Sequence, residues 1–360
     1  MNGDFERRLG SWVATQLRGS PAVSVEGLDR VDIGHSAETL LVSVVCDGLR
    51  RDVAIRMRPE PPGLLEPYDL GRQFAILRAL EPTPVRAPAA LWFEPTGAVL
   101  GREFYVMERL PGQVYERGVP DEVAADPERI RHMCEGMVEQ IAAIHRVDLV
   151  AAGLDSLADG RRYLEHELEH WASEIERVKR GPLPALEGLV AALRAQQPEQ
   201  SPVVTLVHGD SKPGNFAFVD DELSAVFDWE LATLGDPLAD IGWAETLWGV
   251  PGSVTACPGA FSADEFVARW EELTGLAARH RPWYRAFGAM KMAVILLVGA
   301  SLVDAGHSDD ARLMEMAYGI RPTTQAALRD LGVDATLDDG PVLPRKERRD
   351  AVRRAKAEVA

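Results

Sequence analysis

Two short apolar runs in the middle of the chain each end on side chains able to do chemistry. Residues 203–207 lead into His208, Gly209 and Asp210; residues 223–227 lead into Asp228, Trp229 and Glu230. Between them, Asn215 follows Asp210 by five positions in H-G-D-S-K-P-G-N. An aspartate to accept a hydroxyl proton, an asparagine at that offset and a later aspartate are the parts that phosphoryl transfer uses. A carboxylate suits the first role because it only accepts, and Asn215 and Asp228 offer the hard oxygens that Mg²⁺ prefers. Each residue read singly is an ordinary turn or cap residue; the ordered set carries the signal.

The stretch VHGD…N…VFDWELATLGDPLADIGW resembles the aminoglycoside-phosphotransferase-like family of the protein-kinase-like superfamily. The branch most similar to it includes the kinase domain fused to some acyl-CoA dehydrogenases. The resemblance implies a bilobal α+β fold, with a small antiparallel-sheet N-lobe and a larger, mostly helical C-lobe. It further implies an ATP- and Mg²⁺-dependent phosphotransferase, with GTP as the alternative donor. Asp210 is then the base or orienting group for the acceptor hydroxyl, and Lys212 a point charge beside the transferring phosphate. Asn215 and Asp228 are metal ligands, while His208, Trp229 and Asp240 are structural. In V-A-I-R, Arg56 stands where the family strand carries lysine, and strand alternation puts Ala54 on the same face to roof the adenine. The hinge groups are Glu108 and Leu110. Gly34 and Ser36 lie in a glycine-poor phosphate-covering loop. Gln73 occupies the position of the helix glutamate that partners the strand cation, with Asp69 one turn earlier as a source of charge.

Certain elements must position these groups. Apolar spacing predicts a helix over residues 5–17, then strands over 40–45 and 53–57 joined by a turn at Asp47–Gly48. A helix over 70–80 and strands over 90–93 and 104–107 follow. Beyond Leu110–Pro111–Gly112 helices dominate, over about residues 127–145, 161–178, 263–274 and 282–300, the first opened by Asp126 and Pro127. The divisions are an N-terminal lobe, 1–109; a catalytic and substrate lobe, 110–343; and a basic tail, 344–360, expected as a solvated helix or frayed end.

Composition bounds the partners. A net charge of −17 argues against nucleic acid. Three dispersed cysteines without C-x-x-C fit a reducing cytosol, and the N-terminus lacks a signal-peptide core. The longest apolar stretch, 292–300, is too short to cross a bilayer, so the expectation is a cytoplasmic protein, monomeric or homodimeric, without a membrane partner. No G-x-S-x-G elbow or Walker G-x-x-x-x-G-K-[ST] occurs. The partner is a small hydroxylated molecule, with an aminoglycoside, macrolide, sugar, choline-like or hydroxyacyl-CoA acceptor all open. Against this stands a nucleotide-binding pseudokinase, which Gln73 and the glycine-poor loop favour.

Overall fold

The computed structural model describes residues 2–17, 22–30, 38–116, 118–157, 162–334, 336–340, 342 and 344–359. The chain forms two compact units. The first comprises Met1–Gln113 with Ala217–Asp220 and Ser224–Glu230; the second comprises Val114–Phe216 with Asp221–Leu223 and Leu231–Ala360.

In the first unit, α1 (Asn2–Gln16) precedes β1 (Val23–Arg30), β2 (Glu38–Cys46) and β3 (Leu49–Met57). Then come α2 (Leu70–Leu80), β4 (Ala90–Glu94) and β5 (Phe104–Glu108). The five strands make one antiparallel sheet in the order β1-β2-β3-β5-β4. Asp47 and Gly48 join β2 to β3 with φ of 49° and 82°, the two left-handed residues of a turn whose twist matches its strands. The period of two sends Val53, Ile55 and Met57 to one face, where they bury with Leu9 and Val13 of α1 and with Phe104 and Val106. Each such side chain contributes roughly 1.5–3 kcal/mol by leaving water. Ala54, Arg56 and Tyr105 therefore take the other face, on which α2 lies and Phe74 stacks against Phe93 with centroids 5.4 Å apart.

Helices dominate the second unit: α3 (Asp121–Ala124), α4 (Pro127–His145), α5 (Tyr163–Val178) and α6 (Pro184–Ala195). After the short strands come α7 (Pro237–Leu247), α8 (Ala263–Thr274), α9 (Arg281–Ala305), α10 (Ala311–Met316), α11 (Ile320–Asp330) and α12 (Lys346–Val359). Asp126 caps α4 by accepting from the Glu128 and Arg129 amides at 3.1 and 3.3 Å, with Pro127 in its first turn. Two differences from the sequence reading appear here. The apolar stretch is longer than residues 292–300: α9 is long and apolar enough to cross a membrane, and 78% of its apolar window is buried inside the structure, the pattern of a core helix. The basic tail is a docked helix, because Val352 is buried and Arg348 Nε donates to the Val303 carbonyl at 3.0 Å, at the C-terminal end of α9.

Candidate active site

In the second unit a buried strand, residues 205–207, pairs antiparallel with residues 233–235 and delivers the H-G-D turn. Gly209 has φ of 79°, and a Cβ there would run into the Leu231 carbonyl, so the turn admits only glycine. Asp240, in the first turn of α7, accepts from the His208 and Gly209 amides at 2.7 and 2.8 Å. Its other neighbour is His145 Nε2 at 3.1 Å. Trp270 Nε1 donates to His145 Nδ1 at 2.9 Å, which leaves the proton on Nε2, facing Asp240. Burial pushes the Asp240 carboxyl upward, but the hydrogen bonds it accepts from His145 and from the His208 amide more than offset this and hold it below its ordinary value of 3.8. A carboxylate so depressed contributes stability above that ordinary value and loses it as pH falls through the folded-state value. Asp240→Asn is expected to cost about 3 kcal/mol at neutral pH. Urea denaturation should show the gap to the natural protein narrowing below about pH 4; a gap independent of pH would remove the charge from this account.

The loop fixes Asp210 from both sides. Trp243 Nε1 donates to Asp210 Oδ1 at 2.9 Å, and Asn215 Nδ2 donates to Oδ2 at 2.9 Å and to the Asp210 carbonyl at 2.7 Å. His208 is fully buried, its Nδ1 accepting from the Asp210 amide at 3.2 Å. Lys212 Nζ stands 3.3 Å from Asp210 Oδ2 and 3.9 Å from Glu116. Behind the loop, Lys291 of α9 is buried, donates to the Gly209 carbonyl at 2.6 Å and lies 4.8 Å over the Trp243 ring. Burial lowers the Lys291 pKa, opposed by Glu167, Asp210 and Asp240. Helix α7 reaches α9 closely because Gly242 faces the Tyr284 backbone, where any Cβ would collide. Sequence reasoning left Trp243 without a role. Its signal was the spacing D-x-x-W, which on one helix puts Asp240 and Trp243 on the same side.

In the first unit, Arg56 Nη2 donates to Asp228 Oδ1 at 2.7 Å and to Glu230 Oε2 at 2.8 Å, while Nη1 donates to Thr39 Oγ1 at 3.1 Å. Burial alone lowers the guanidinium pKa, and the two carboxylates more than reverse that, leaving it raised. Asp228 has φ of 64°, a left-handed conformation costly for most residues and tolerated by Asp and Asn. Trp229 is buried and donates through Nε1 to the Val226 carbonyl at 2.9 Å. Here the expected partners of Arg56 are corrected. Gln73 is buried and accepts from the Tyr105 hydroxyl at 3.2 Å, and Asp69 caps α2 by accepting from the Arg72 amide at 2.8 Å. Glu230, missed in the sequence though it completes D-W-E, supplies the carboxylate. Ala54 shares the Arg56 face and is buried. The Glu108 amide is taken by the Ala89 carbonyl at 2.9 Å. Leu110 is half-buried just past β5, and Gly34 and Ser36 lie outside the described residues.

Among the described residues, no cluster of three or more His, Cys, Asp or Glu side chains is arranged to hold a metal. Mg²⁺ asks less than such a cage: one or two side-chain oxygens, with phosphates and water completing the octahedron. Asn215 fits, since its Nδ2 is fixed on Asp210 and its Oδ1 is the atom left for a hard cation. Asp228 fits too, as a carboxylate held through one oxygen by Arg56.

The profile of the phosphotransferase enzyme family (APH) matches residues 34–287, which include Arg56, Asp210, Asn215, Asp228 and Asp240. The chain belongs to this family. Acyl-CoA dehydrogenase family member 10 of Mus musculus is 31% identical over 241 residues, which is 66% of this chain and 22% of that protein. The chain thus spans about a fifth of the length of that relative. A Ralstonia eutropha JMP134 protein assigned to the aminoglycoside phosphotransferases superposes with a TM-score of 0.75 at 24% identity, over 91% of this chain and 98% of its own. A thermostable aminoglycoside phosphotransferase mutant, solved with ADP and hygromycin B, gives 0.59 at 16% identity, over 89% and 98%. These likenesses establish the fold of the phosphotransferase family member, a bilobal kinase-like α+β architecture.

Proposed function

We propose that this member of the phosphotransferase family moves the γ-phosphate of ATP to a hydroxyl of a small molecule, with Mg²⁺, in the cytoplasm. The observation that carries the reading is the clamped carboxylate: Trp243 holds one oxygen of Asp210 and Asn215 the other, each at 2.9 Å. A base fixed in this way is ready to orient an acceptor hydroxyl and receive its proton, while Lys212 offers positive charge beside it. Asn215 and Asp228 supply oxygens to Mg²⁺, which when bound neutralises the charge on the phosphates. Arg56 reaches a phosphate, and the Glu108 carbonyl and Leu110 amide meet the adenine edge; Gly34 and Ser36 keep their place in the covering loop. That a related fold holds ADP together with hygromycin B supports a nucleotide and a hydroxylated acceptor.

The acidic face of α5 gives no support to an aminoglycoside acceptor. Glu165, Glu169, Glu174 and Glu176 are paired with Arg162, Arg194, Arg177 and Lys179 respectively, and Glu167 accepts from Trp171 Nε1 at 3.1 Å. The pseudokinase reading loses one of its two supports, because Glu230 provides the carboxylate that Gln73 lacks. Thermal melting tests the nucleotide half of the proposal. Mg²⁺–ATP at 100 times its Kd is expected to stabilise the fold by about 2.7 kcal/mol. No shift at millimolar nucleotide would contradict it.

A further inference from the structure

Resting on the phosphotransferase reading, we infer that Glu230 is the positioning residue for Arg56, in place of a carboxylate on α2, where this chain carries Gln73. In this chain the carboxylate partner of the strand cation stands in the turn after Asp228 and not on α2.

A guanidinium has five N–H donors in a fixed plane, whereas an ammonium is a single point charge. Arg56 uses three of them on Thr39, Asp228 and Glu230, which leaves two N–H groups in the same plane. Either of them can donate to a phosphate oxygen. Asp228 alone cannot fix that plane, because a carboxylate offered to a metal is a shared partner. Glu230 is the second anchor: its side chain is 6% exposed, it lies two residues past Asp228, and it meets Arg56 at 2.8 Å. Helix α2 is excluded from the task by its own bonding. Gln73 faces the Tyr105 hydroxyl, and Tyr105 is the cross-strand neighbour of Arg56, so the glutamine supports the arginine's neighbour instead of the arginine.

The test is a coupling measurement on the full chain, with Kd for the Mg²⁺ complex of ATP read by calorimetry. Glu230→Gln is expected to weaken binding by about tenfold, as loss of a charged orienting partner does elsewhere. Glu230→Asp, which keeps the charge on a shorter stem, should recover at least half of that loss on a logarithmic scale. In an Arg56→Met background, Glu230→Gln should change Kd by less than about twofold, because the glutamate then has nothing to position. Arg56→Leu, which likewise removes every donor toward Glu230, serves as the background should Arg56→Met not fold. A full tenfold loss persisting without Arg56 would mean that Glu230 meets the metal or nucleotide directly, and would overturn the inference. So would a Glu230→Gln protein that binds as the natural chain does. A natural chain that binds no Mg²⁺–ATP overturns the phosphotransferase reading itself, and this inference with it.

Discussion

Replacing Asp210 with asparagine is expected to lower phosphoryl transfer by about 10²–10⁴-fold while nucleotide affinity stays within about twofold. In the proposed role of Asp210, the substitution removes the proton acceptor. Trp243 Nε1 can still donate to the amide oxygen, as it now does to Oδ1 at 2.9 Å. On the other side the new amide faces the Asn215 Nδ2 that donates to Oδ2, so two donors meet and one of the amides must turn. That local cost falls on the loop and not on the first unit, where Arg56 and Asp228 lie. Steady-state rates with titrated Mg²⁺–ATP separate the outcomes: kcat collapses and KM for the nucleotide holds. An unchanged kcat would remove Asp210 from its role as base.

The second large effect concerns the metal. Asp228→Asn is expected to abolish most of the Mg²⁺-dependent part of the stabilisation by ATP, which is about 2.7 kcal/mol at 100 times Kd. Asparagine is the informative replacement because position 228 sits at φ 64°, which alanine tolerates poorly. The baseline melting temperature should also fall, since the Arg56–Asp228 ion pair at 2.7 Å is lost. The quantity to compare is therefore the shift between Mg²⁺ and EDTA, measured for each protein against its own baseline. A variant with the full Mg²⁺-dependent shift would place the metal elsewhere.

Local pattern and tertiary pairing were unequally legible in the sequence. The residues 70–80 helix, the Asp47–Gly48 turn and the Asp126–Pro127 helix start are local devices, set by spacing, capping and backbone preference, and the structure has each of them. The alternation that put Ala54 and Arg56 on one face was readable because a strand repeats every two residues. What met Arg56 was not readable. Glu230 lies 174 positions away, and nothing in the spacing says that a turn glutamate outcompetes a helix side chain for the same guanidinium. Lys291 and the Gly209 carbonyl, 82 positions apart, are a similar case: the sequence shows a lysine in an apolar helix, and only the packing of α9 supplies its partner. The tail read as solvated for want of large apolar residues, yet one buried valine and arginines at the end of α9 are enough to dock it.

The central claim is tested most directly by following the γ-phosphate. ATP labelled at that position, incubated with the protein, Mg²⁺ and a library of hydroxylated small molecules that includes aminoglycosides, sugars and hydroxyacyl-CoAs, should give a labelled phosphate ester with at least one acceptor, and the Asp210→Asn protein should give almost none. Label that stays on ATP across the library, from a protein that binds Mg²⁺–ATP normally, or an ester formed equally well without Asp210, would contradict the account.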